Sequence, residues 1–268
     1  MYPVLFRLGH VTVYAYGFFL ALGLVTGAIL VFLKVRKRGI GISPEAGAGL
    51  FFYTVLSAIL GSRLLFALLN FDFFRRNPLH FFKIWEGGLV FYGGLILAGA
   101  VSILYSRWHR LPIWKLLDLV SSPIALGLSF GRIGCFLAGC CYGKETDLPW
   151  GVVFTDPNSL ARLNVPLHPT QLYDAANGLA IFFFLNWMEK RKAFDGEMFL
   201  LLLGLYSVGR FFVERLRGDP RGFLFQDVST SQGIGILLAL CSFFMLFYLR
   251  RTYGRQRDDG GFRDPKIS

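Results

Sequence analysis

This sequence has few charged residues, and that scarcity excludes several classes of protein. Only 17% of its 268 residues are charged, whereas 54% are hydrophobic and 17% aromatic, and the mean hydropathy is +0.51. A soluble domain normally exposes more charge on its surface. The net charge of +11 does not indicate nucleic-acid binding, because the basic residues lie in short loops between apolar runs and not on one polar element. We therefore expect a membrane protein without a nucleic-acid partner.

The sequence also lacks signals of processing and of repetition. Residues 1–10 have no basic segment, apolar segment and Ala-x-Ala site of the kind found in a cleavable signal peptide, so the first apolar run is predicted to remain as a helix. There is no internal repeat and no sign of a second soluble domain. We predict one membrane domain over 1–254 and a polar, disordered cytoplasmic tail over 255–268.

Seven apolar runs predict an all-α polytopic membrane protein with seven transmembrane helices. Each run approaches the roughly 20 apolar residues that one bilayer crossing needs. The predicted spans are 11–33, 46–69, 89–106, 116–138, 171–188, 197–215 and 230–249. Lys and Arg clusters follow the first, third, fifth and seventh runs, and the positive-inside rule places those loops in the cytoplasm. The amino terminus is then outside, the carboxyl terminus is inside, and the segments 70–88, 139–170 and 216–229 face the periplasm.

Arginines occur inside several spans, where they are costly. Arg63, Arg132 and Arg210 lie within apolar runs, and an arginine at the bilayer centre costs roughly 2.5–3.5 kcal/mol on insertion scales. Such residues persist where they face a polar cavity, which we expect to hold an anion. Arg132 lies in a glycine-rich stretch that contains Cys135 and ends at Gly143, which would let a ligand approach closely, although such glycines are also ordinary helix packing.

One face of the sixth span carries four polar residues, which are Tyr206, Arg210, Glu214 and Arg217. Arg210 and Glu214 could simply neutralise each other. A carboxylate can also orient a guanidinium so that its planar donors meet a phosphate. With Arg132 at the outer end of another span, the pattern indicates a cavity for the phosphate of a lipid.

Three further candidates lie near the predicted outer face. Tyr16 is early in the first span, Tyr92 precedes a pair of glycines in the third, and His168 begins the sequence HPTQLY that opens the fifth. His168 could merely mark the start of a helix, because proline is common at that point.

Taken together, these motifs resemble the phosphatidylglycerol–prolipoprotein diacylglyceryl transferase family of the bacterial inner (cytoplasmic) membrane. The resemblance covers nearly the whole chain. It rests on His-x-x-x-Tyr-x-Tyr-Gly at 10–17, Gly-Ser-Arg at 61–63, Glu-Gly-Gly at 86–88, Tyr-Gly-Gly at 92–94, Gly-Arg-Ile-Gly at 131–134, His-Pro-Thr-Gln-Leu-Tyr at 168–173 and Gly-Arg-Phe-Phe-Val-Glu at 209–214. Each motif alone is weak, but their order and their positions in the spans are specific.

The resemblance implies an enzyme that begins lipoprotein maturation. It would move the diacylglyceryl group of phosphatidylglycerol to the lipobox cysteine thiol of a prolipoprotein, forming a thioether and releasing glycerol 1-phosphate. Its partners would be phosphatidylglycerol, the prolipoprotein lipobox and membrane lipids, with no metal and no other cofactor. The resemblance implies roles for Tyr16, Arg132, Gly143, Arg210 and Glu214. With the candidates taken from the sequence itself, the predicted catalytic residues are Tyr16, Tyr92, Arg132, Arg210, Glu214 and His168. The predicted phosphatidylglycerol-binding residues are Arg132, Arg210, Cys135, Gly143 and Tyr206.

Four positions depart from the family pattern. Cys135 stands where the family has Asn, and Ala-Gly-Cys at 138–140 replaces Asn-Gly-Glu. Tyr92 stands where the family commonly has a His that is proposed to activate the thiol. A phenol is a poor base at neutral pH. Either the base lies elsewhere, with His168 a candidate, or the chain belongs to a divergent subgroup that handles the proton differently.

Two alternative functions remain open. A membrane thiol redox protein would use Cys135, Cys140 and Cys141, because disulfides persist outside the cytoplasm. The sequence has no Cys-x-x-Cys motif, an adjacent-cysteine disulfide is strained, and a metal would want a fourth ligand, for which His168 is the candidate. Unpaired cysteines also pack as small apolar residues. A phospholipid transporter could hold a headgroup without chemistry, but the repeats typical of transporters are absent.

Overall fold

The structure, a computed structural model, is mostly helical and describes residues 2–8, 11–38, 43–83, 87–219, 223–225 and 228–258. Its helices are α1 (Ala15–Arg38), α2 (Pro44–Leu69), α3 (Phe71–Arg76), α4 (Phe91–Trp108), α5 (Ile113–Ala138), α6 (Thr170–Met188), α7 (Glu197–Leu216) and α8 (Thr230–Asp258). Three short antiparallel pairs join β1 (Val4–Leu8) to β2 (Val11–Tyr14), β3 (Val152–Val153) to β4 (Pro166–Leu167), and β5 (Phe223–Phe225) to β6 (Val228–Ser229). Short 3₁₀ turns cover Pro78–Phe82 and Glu189–Arg191.

Each predicted span coincides with a long helix, and the prediction of an all-α, multi-pass membrane protein is confirmed at this level. Among the described residues, four helices are long and apolar enough to cross a membrane, over Ala15–Arg36, Glu45–Leu69, Ile113–Ala138 and Thr230–Tyr253.

Two boundaries differ from the prediction. Residues 11–14 form β2 instead of beginning the first helix, because this stretch is rich in β-branched side chains, which favour strands. The last helix continues to Asp258, since the added residues include good helix formers. Residues 259–268 of the predicted tail lie outside the described residues.

The chain divides into two compact units, one of Phe32–Leu116 and one of Met1–Val31 with Leu117–Ser268. In the smaller unit, glycines set the packing of α2 on α4. A Cβ on Gly61 would lie 2.4 Å from the carbonyl oxygen of Gly93, and a Cβ on Gly93 would lie 2.2 Å from that of Gly61. Only residues without side chains allow two helix backbones to approach this closely.

Arg63 anchors the segment that precedes α4 in the smaller unit. The residue is buried. Its five N–H donors bond to backbone carbonyl oxygens, those of Phe81 at 2.9 Å, Gly87 at 2.6 Å, Gly88 and Lys83 at 3.2 Å each, and His80. The expectation that Arg63 holds an anion is therefore wrong, because an arginine has five donors and all are used. Glu86 of the Glu-Gly-Gly motif and His10 of the first motif lie outside the described residues.

In the larger unit, α5, α6 and α7 pack around an apolar core. Its buried residues are Ala125, Ile181, Leu185, Met198 and Leu202. Two glycines bring these helices together. A Cβ on Gly178 would lie 2.4 Å from the Oγ of Ser129 on α5, and a Cβ on Gly209 of α7 would lie 2.3 Å from the Nδ2 of Asn177 on α6. The polar first half of α6 is therefore enclosed between α5 and α7.

Buried charges close the end of this bundle at which α7 begins. The Asp118 carboxylate accepts hydrogen bonds from the backbone N–H groups of Gly196 and Met198, both at 2.9 Å, and so caps the amino terminus of α7. Fully buried Glu197 accepts a bond of 2.6 Å from the Nε of Arg250 on α8. Charged residues that stabilise the fold thus lie at this end of the bundle, and Arg132 and Arg210 lie toward the other end.

Candidate active site

A buried carboxylate joins two arginines from neighbouring helices. The Oδ2 atom of Asp174, in the first half of α6, lies 3.2 Å from the Nε of Arg132 on α5 and 2.5 Å from the Nη1 of Arg210 on α7. The Asp174 side chain is 1% exposed, whereas those of Arg132 and Arg210 are 18% and 14% exposed. Three helices therefore bring their polar residues to one point, which retains some access from outside. We call these three residues the arginine cluster.

The arginine cluster keeps hydrogen-bond donors available. Arg132 uses its Nε for Asp174, and among the described residues its two terminal nitrogens have no hydrogen-bond partner. The same stretch of α6 carries three buried polar atoms that lack a partner in the described part of the chain, Gln171 Oε1, Asp174 Oδ1 and Asn177 Nδ2. Leaving such an atom unsatisfied costs about 1–3 kcal/mol. Buried polar atoms that the described residues do not satisfy thus lie on the same stretch of α6 as Asp174.

Glu214 extends this charge network along α7. Its Oε2 lies 2.9 Å from the Nη2 of Arg210 and 3.7 Å from the Nη1 of Arg217. The hydroxyl of Ser229 donates to its Oε1 at 3.0 Å. The ion pair predicted between Arg210 and Glu214 is present, and it also fixes the plane of the Arg210 guanidinium because Asp174 holds the other nitrogen.

Gly143 packs where two loops cross. A Cβ on Gly143 would lie 2.4 Å from both the Cβ and the carbonyl oxygen of His168, so no larger residue fits without movement. The Gly143 N–H donates to that oxygen at 3.1 Å, and the Gly218 N–H donates to the carbonyl of Tyr142 at 3.0 Å. These contacts place Arg217, which forms a bridge to Gly143, beside the end of α7. A contact between Gly143 and the lipid stays a prediction.

His168 lies just before α6, and its ring faces an aromatic neighbour. Its Nδ1 is 3.4 Å from the hydroxyl oxygen of Tyr173, which accepts a hydrogen bond of 2.9 Å from the Nε1 of Trp150. The backbone carbonyl of His168 also accepts a bond of 2.8 Å from the Thr170 N–H at the start of the helix. His168 therefore marks the start of α6, and its role as the base stays a prediction.

The three candidate tyrosines are divided between the two units. Tyr16 is the second residue of α1 and lies against α5, since a Cβ on Gly134 would be 3.2 Å from the Cα of Tyr16. Tyr206 is one turn before Arg210 and packs beside the apolar core. Tyr92 belongs to the smaller unit, is the second residue of α4 and is 57% exposed. The catalytic roles of Tyr16 and Tyr92 stay predictions.

Asp174 is the residue whose role the sequence did not reveal. The sequence predicted neither its bridge between two arginines nor its burial. A signal was present, because Gln171, Asp174 and Asn177 recur at intervals of three residues in a helix that is otherwise largely apolar.

Comparisons with known proteins show which family the chain resembles. A family model described as prolipoprotein diacylglyceryl transferase matches residues 3–248. A phosphatidylglycerol–prolipoprotein diacylglyceryl transferase of Clostridium tetani is 40% identical over 246 residues, which are 91% of this chain and 96% of that protein. Transferase 2 of Clostridium perfringens is 37% identical over 248 residues, covering 91% and 93% of the two chains. The Pasteurella multocida enzyme is 31% identical over 262 residues, covering 96% and 95%.

Proposed function

The chain belongs to the prolipoprotein diacylglyceryl transferase family, and we propose that it transfers the diacylglyceryl group of phosphatidylglycerol to the lipobox cysteine thiol of a prolipoprotein. The curated relatives carry this activity in their names. The comparisons give no support to the thiol redox protein or the phospholipid transporter.

The observation that carries the proposal is the arginine cluster. Asp174 holds Arg132 through its Nε, and the terminal nitrogens of that guanidinium have no hydrogen-bond partner in the described part of the chain. Arg210 is held on both sides, by Asp174 and by Glu214. Two guanidinium groups fixed in this way bind a phosphate as oriented hydrogen-bond donors. The nearby unsatisfied atoms of Gln171 and Asn177 suit the hydroxyl groups of a glycerol headgroup.

The reaction displaces a phosphate from carbon. The lipobox thiol loses its proton to a base, for which His168 is the candidate. The thiolate then attacks the diacylglycerol carbon that bears the phosphate ester. A sulfur–carbon bond forms as the carbon–oxygen bond breaks, and glycerol 1-phosphate leaves with the bonding electrons.

Charge develops on the leaving group during this step. The phosphodiester of the lipid carries one negative charge, and the departing monoester gains part of a second one. Donors that already point at the phosphate stabilise that gain without reorganisation, and one such donor contributes a factor of about 10²–10³ in kcat. The terminal nitrogens of Arg132 are the donors that we assign to this role.

The two ends of the larger unit support an orientation of the protein in the membrane. The end that contains Lys190, Arg191, Lys192 and Arg250 is cytoplasmic by the positive-inside rule. The arginine cluster lies at the other end and therefore faces the periplasm, where secreted prolipoproteins arrive. We extend the proposal to seven crossings, an external amino terminus and residence in the bacterial inner membrane.

The test is release of glycerol 1-phosphate from phosphatidylglycerol vesicles by the purified full-length protein. Release is expected with a lipobox peptide and not with the matched peptide in which the cysteine is serine. Substitution of phosphatidylethanolamine for phosphatidylglycerol is expected to abolish it. Equal release with both peptides would mean that the protein hydrolyses the lipid and does not transfer it.

A further inference from the structure

Three thiols converge close to the arginine cluster. Cys135 lies in the last turn of α5, and Cys140 and Cys141 follow in the turn after it. Their three sulfur atoms all lie within 4.8 Å of one another, and none is in a disulfide. Within the described part of the chain, this is the one group of three or more His, Cys, Asp or Glu residues whose donor atoms converge in this way. Apolar packing accounts for buried Cys135 but not for two half-buried cysteines that turn toward it.

The turn that carries Cys140 and Cys141 is held in place from α6. The hydroxyl of Thr170 donates to the carbonyl of Cys141 at 2.9 Å, and the side-chain amide of Gln171 donates to that of Cys140 at 2.8 Å. Cys141 has a φ of 59°, a left-handed conformation that costs a non-glycine residue about 1–2 kcal/mol. The fold therefore holds the backbone that carries Cys140 and Cys141 in place before any ligand arrives.

The geometry suits a soft metal ion with three ligands. Three sulfurs at about 2.3 Å from one ion, in a planar arrangement, lie about 4 Å apart, which is within the observed separation. Thiolates select soft ions such as Cu(I) and Zn(II). Structural zinc almost always takes four ligands, and among the described residues no fourth His, Cys, Asp or Glu joins the group. Cu(I) is the better match.

The surroundings also suit such a complex. One Cu(I) ion with three thiolates carries two negative charges and is stabilised by cationic neighbours. Arg132 lies about one turn before Cys135 on α5, and Arg217 forms a backbone bridge to Gly143, two residues after Cys141. Both arginines therefore lie near the three thiols and can offset the charge of a bound complex.

We propose that Cys135, Cys140 and Cys141 bind one Cu(I) ion as three thiolates at the carboxyl end of α5. Three copper–sulfur bonds form, the thiols release their protons to solvent, and no oxidation state changes. The proposal rests on the positions of the three thiols and not on the proposed transfer reaction, although Cys135 is also a predicted phosphatidylglycerol-binding residue. The proposed copper site rests on positions 135, 140 and 141, where this chain carries thiols.

The test is an anaerobic titration of the purified full-length protein with Cu(I), in competition with a colorimetric Cu(I) chelator. We expect one ion per chain that the chelator does not remove at equal concentration. X-ray absorption at the copper edge is expected to give three sulfur neighbours at about 2.3 Å. A two-sulfur environment, or copper that the chelator removes completely, would overturn the proposal.

Single serine variants test which cysteines bind the ion. Losing an outer-shell group typically costs 10–100-fold in metal affinity, so Cys135→Ser, Cys140→Ser and Cys141→Ser are each expected to cost about 100-fold or more. Cys241→Ser is the matched control, because this exposed thiol lies on α8 and leaves the triad intact. Binding that survives all three triad variants, or that disappears in Cys241→Ser, contradicts the assignment. The absorption spectrum of the unmodified protein decides the case if a variant fails to fold.

Discussion

Replacing Asp174 by asparagine removes the charge that holds the arginine cluster and keeps the shape of the side chain. Asp174 is 1% exposed and lies 3.2 Å from Arg132 and 2.5 Å from Arg210. Removing one partner of a buried ion pair typically costs 3–5 kcal/mol of stability. Glu214 still pairs with Arg210, so the guanidinium left without a counter-charge is that of Arg132. We expect a cost of about 3 kcal/mol, near the lower end of the range.

The same substitution is expected to affect catalysis more than binding. Without the bond to Asp174, the free nitrogens of Arg132 are no longer directed at the phosphate, and losing one such donor lowers kcat by about 10²–10³-fold. The assay is the rate of glycerol 1-phosphate release over a range of phosphatidylglycerol concentrations, with thermal unfolding of the purified protein beside it.

Glu145→Gln is the matched control for this experiment. Glu145 pairs with Arg162 at 2.7 Å, but both side chains are more than half exposed, and exposed pairs contribute about 0–1 kcal/mol. We expect neither the rate nor the unfolding temperature to change. An Asp174→Asn protein with wild-type kcat would refute the claim that Asp174 positions the catalytic arginine.

Further predictions concern the arginines and one glycine. Arg132→Ala and Arg210→Ala are each expected to abolish transfer while the protein still inserts in the membrane, and normal activity in both would contradict the phosphate-binding role. Arg63→Ala leaves five backbone carbonyls without their donor. We therefore expect the free energy of unfolding, measured by thermal unfolding, to fall by at least about 3 kcal/mol. An unchanged unfolding temperature would show that water replaces the guanidinium. Gly143→Ala places a Cβ 2.4 Å from His168 and is expected to lower the unfolding temperature. Gly99→Ala is the control, because its Cβ would meet nothing within 4 Å, and it is expected to leave the unfolding temperature unchanged. Equal effects of the two substitutions would argue against close packing at Gly143.

The helices could be predicted from the sequence because the signal is strong. Runs of apolar residues and the loops between them located all seven long helices, with ends that differ by a few residues. The first helix was predicted to start too early, because apolar content alone does not distinguish the β-branched residues 11–14 from the start of a helix.

The partners of the charged residues were harder to predict. Arg210 and Glu214 are one turn apart, so their ion pair follows from helix geometry. Arg63 and Asp174 depend on contacts between segments distant in sequence, which residue spacing does not encode. The sequence therefore assigned an anion to Arg63, whose donors in the structure bond to backbone carbonyls, and missed Asp174 as the residue that joins two helices.

The central claim is that this chain moves a diacylglyceryl group from phosphatidylglycerol to a cysteine thiol. The most direct measurement is mass spectrometry of a lipobox peptide after incubation with phosphatidylglycerol and the purified protein. We predict a peptide that carries diacylglyceryl through a thioether, and no such product when the peptide cysteine is replaced by serine. An unmodified cysteine peptide, beside a relative that is active under the same conditions, would contradict the claim.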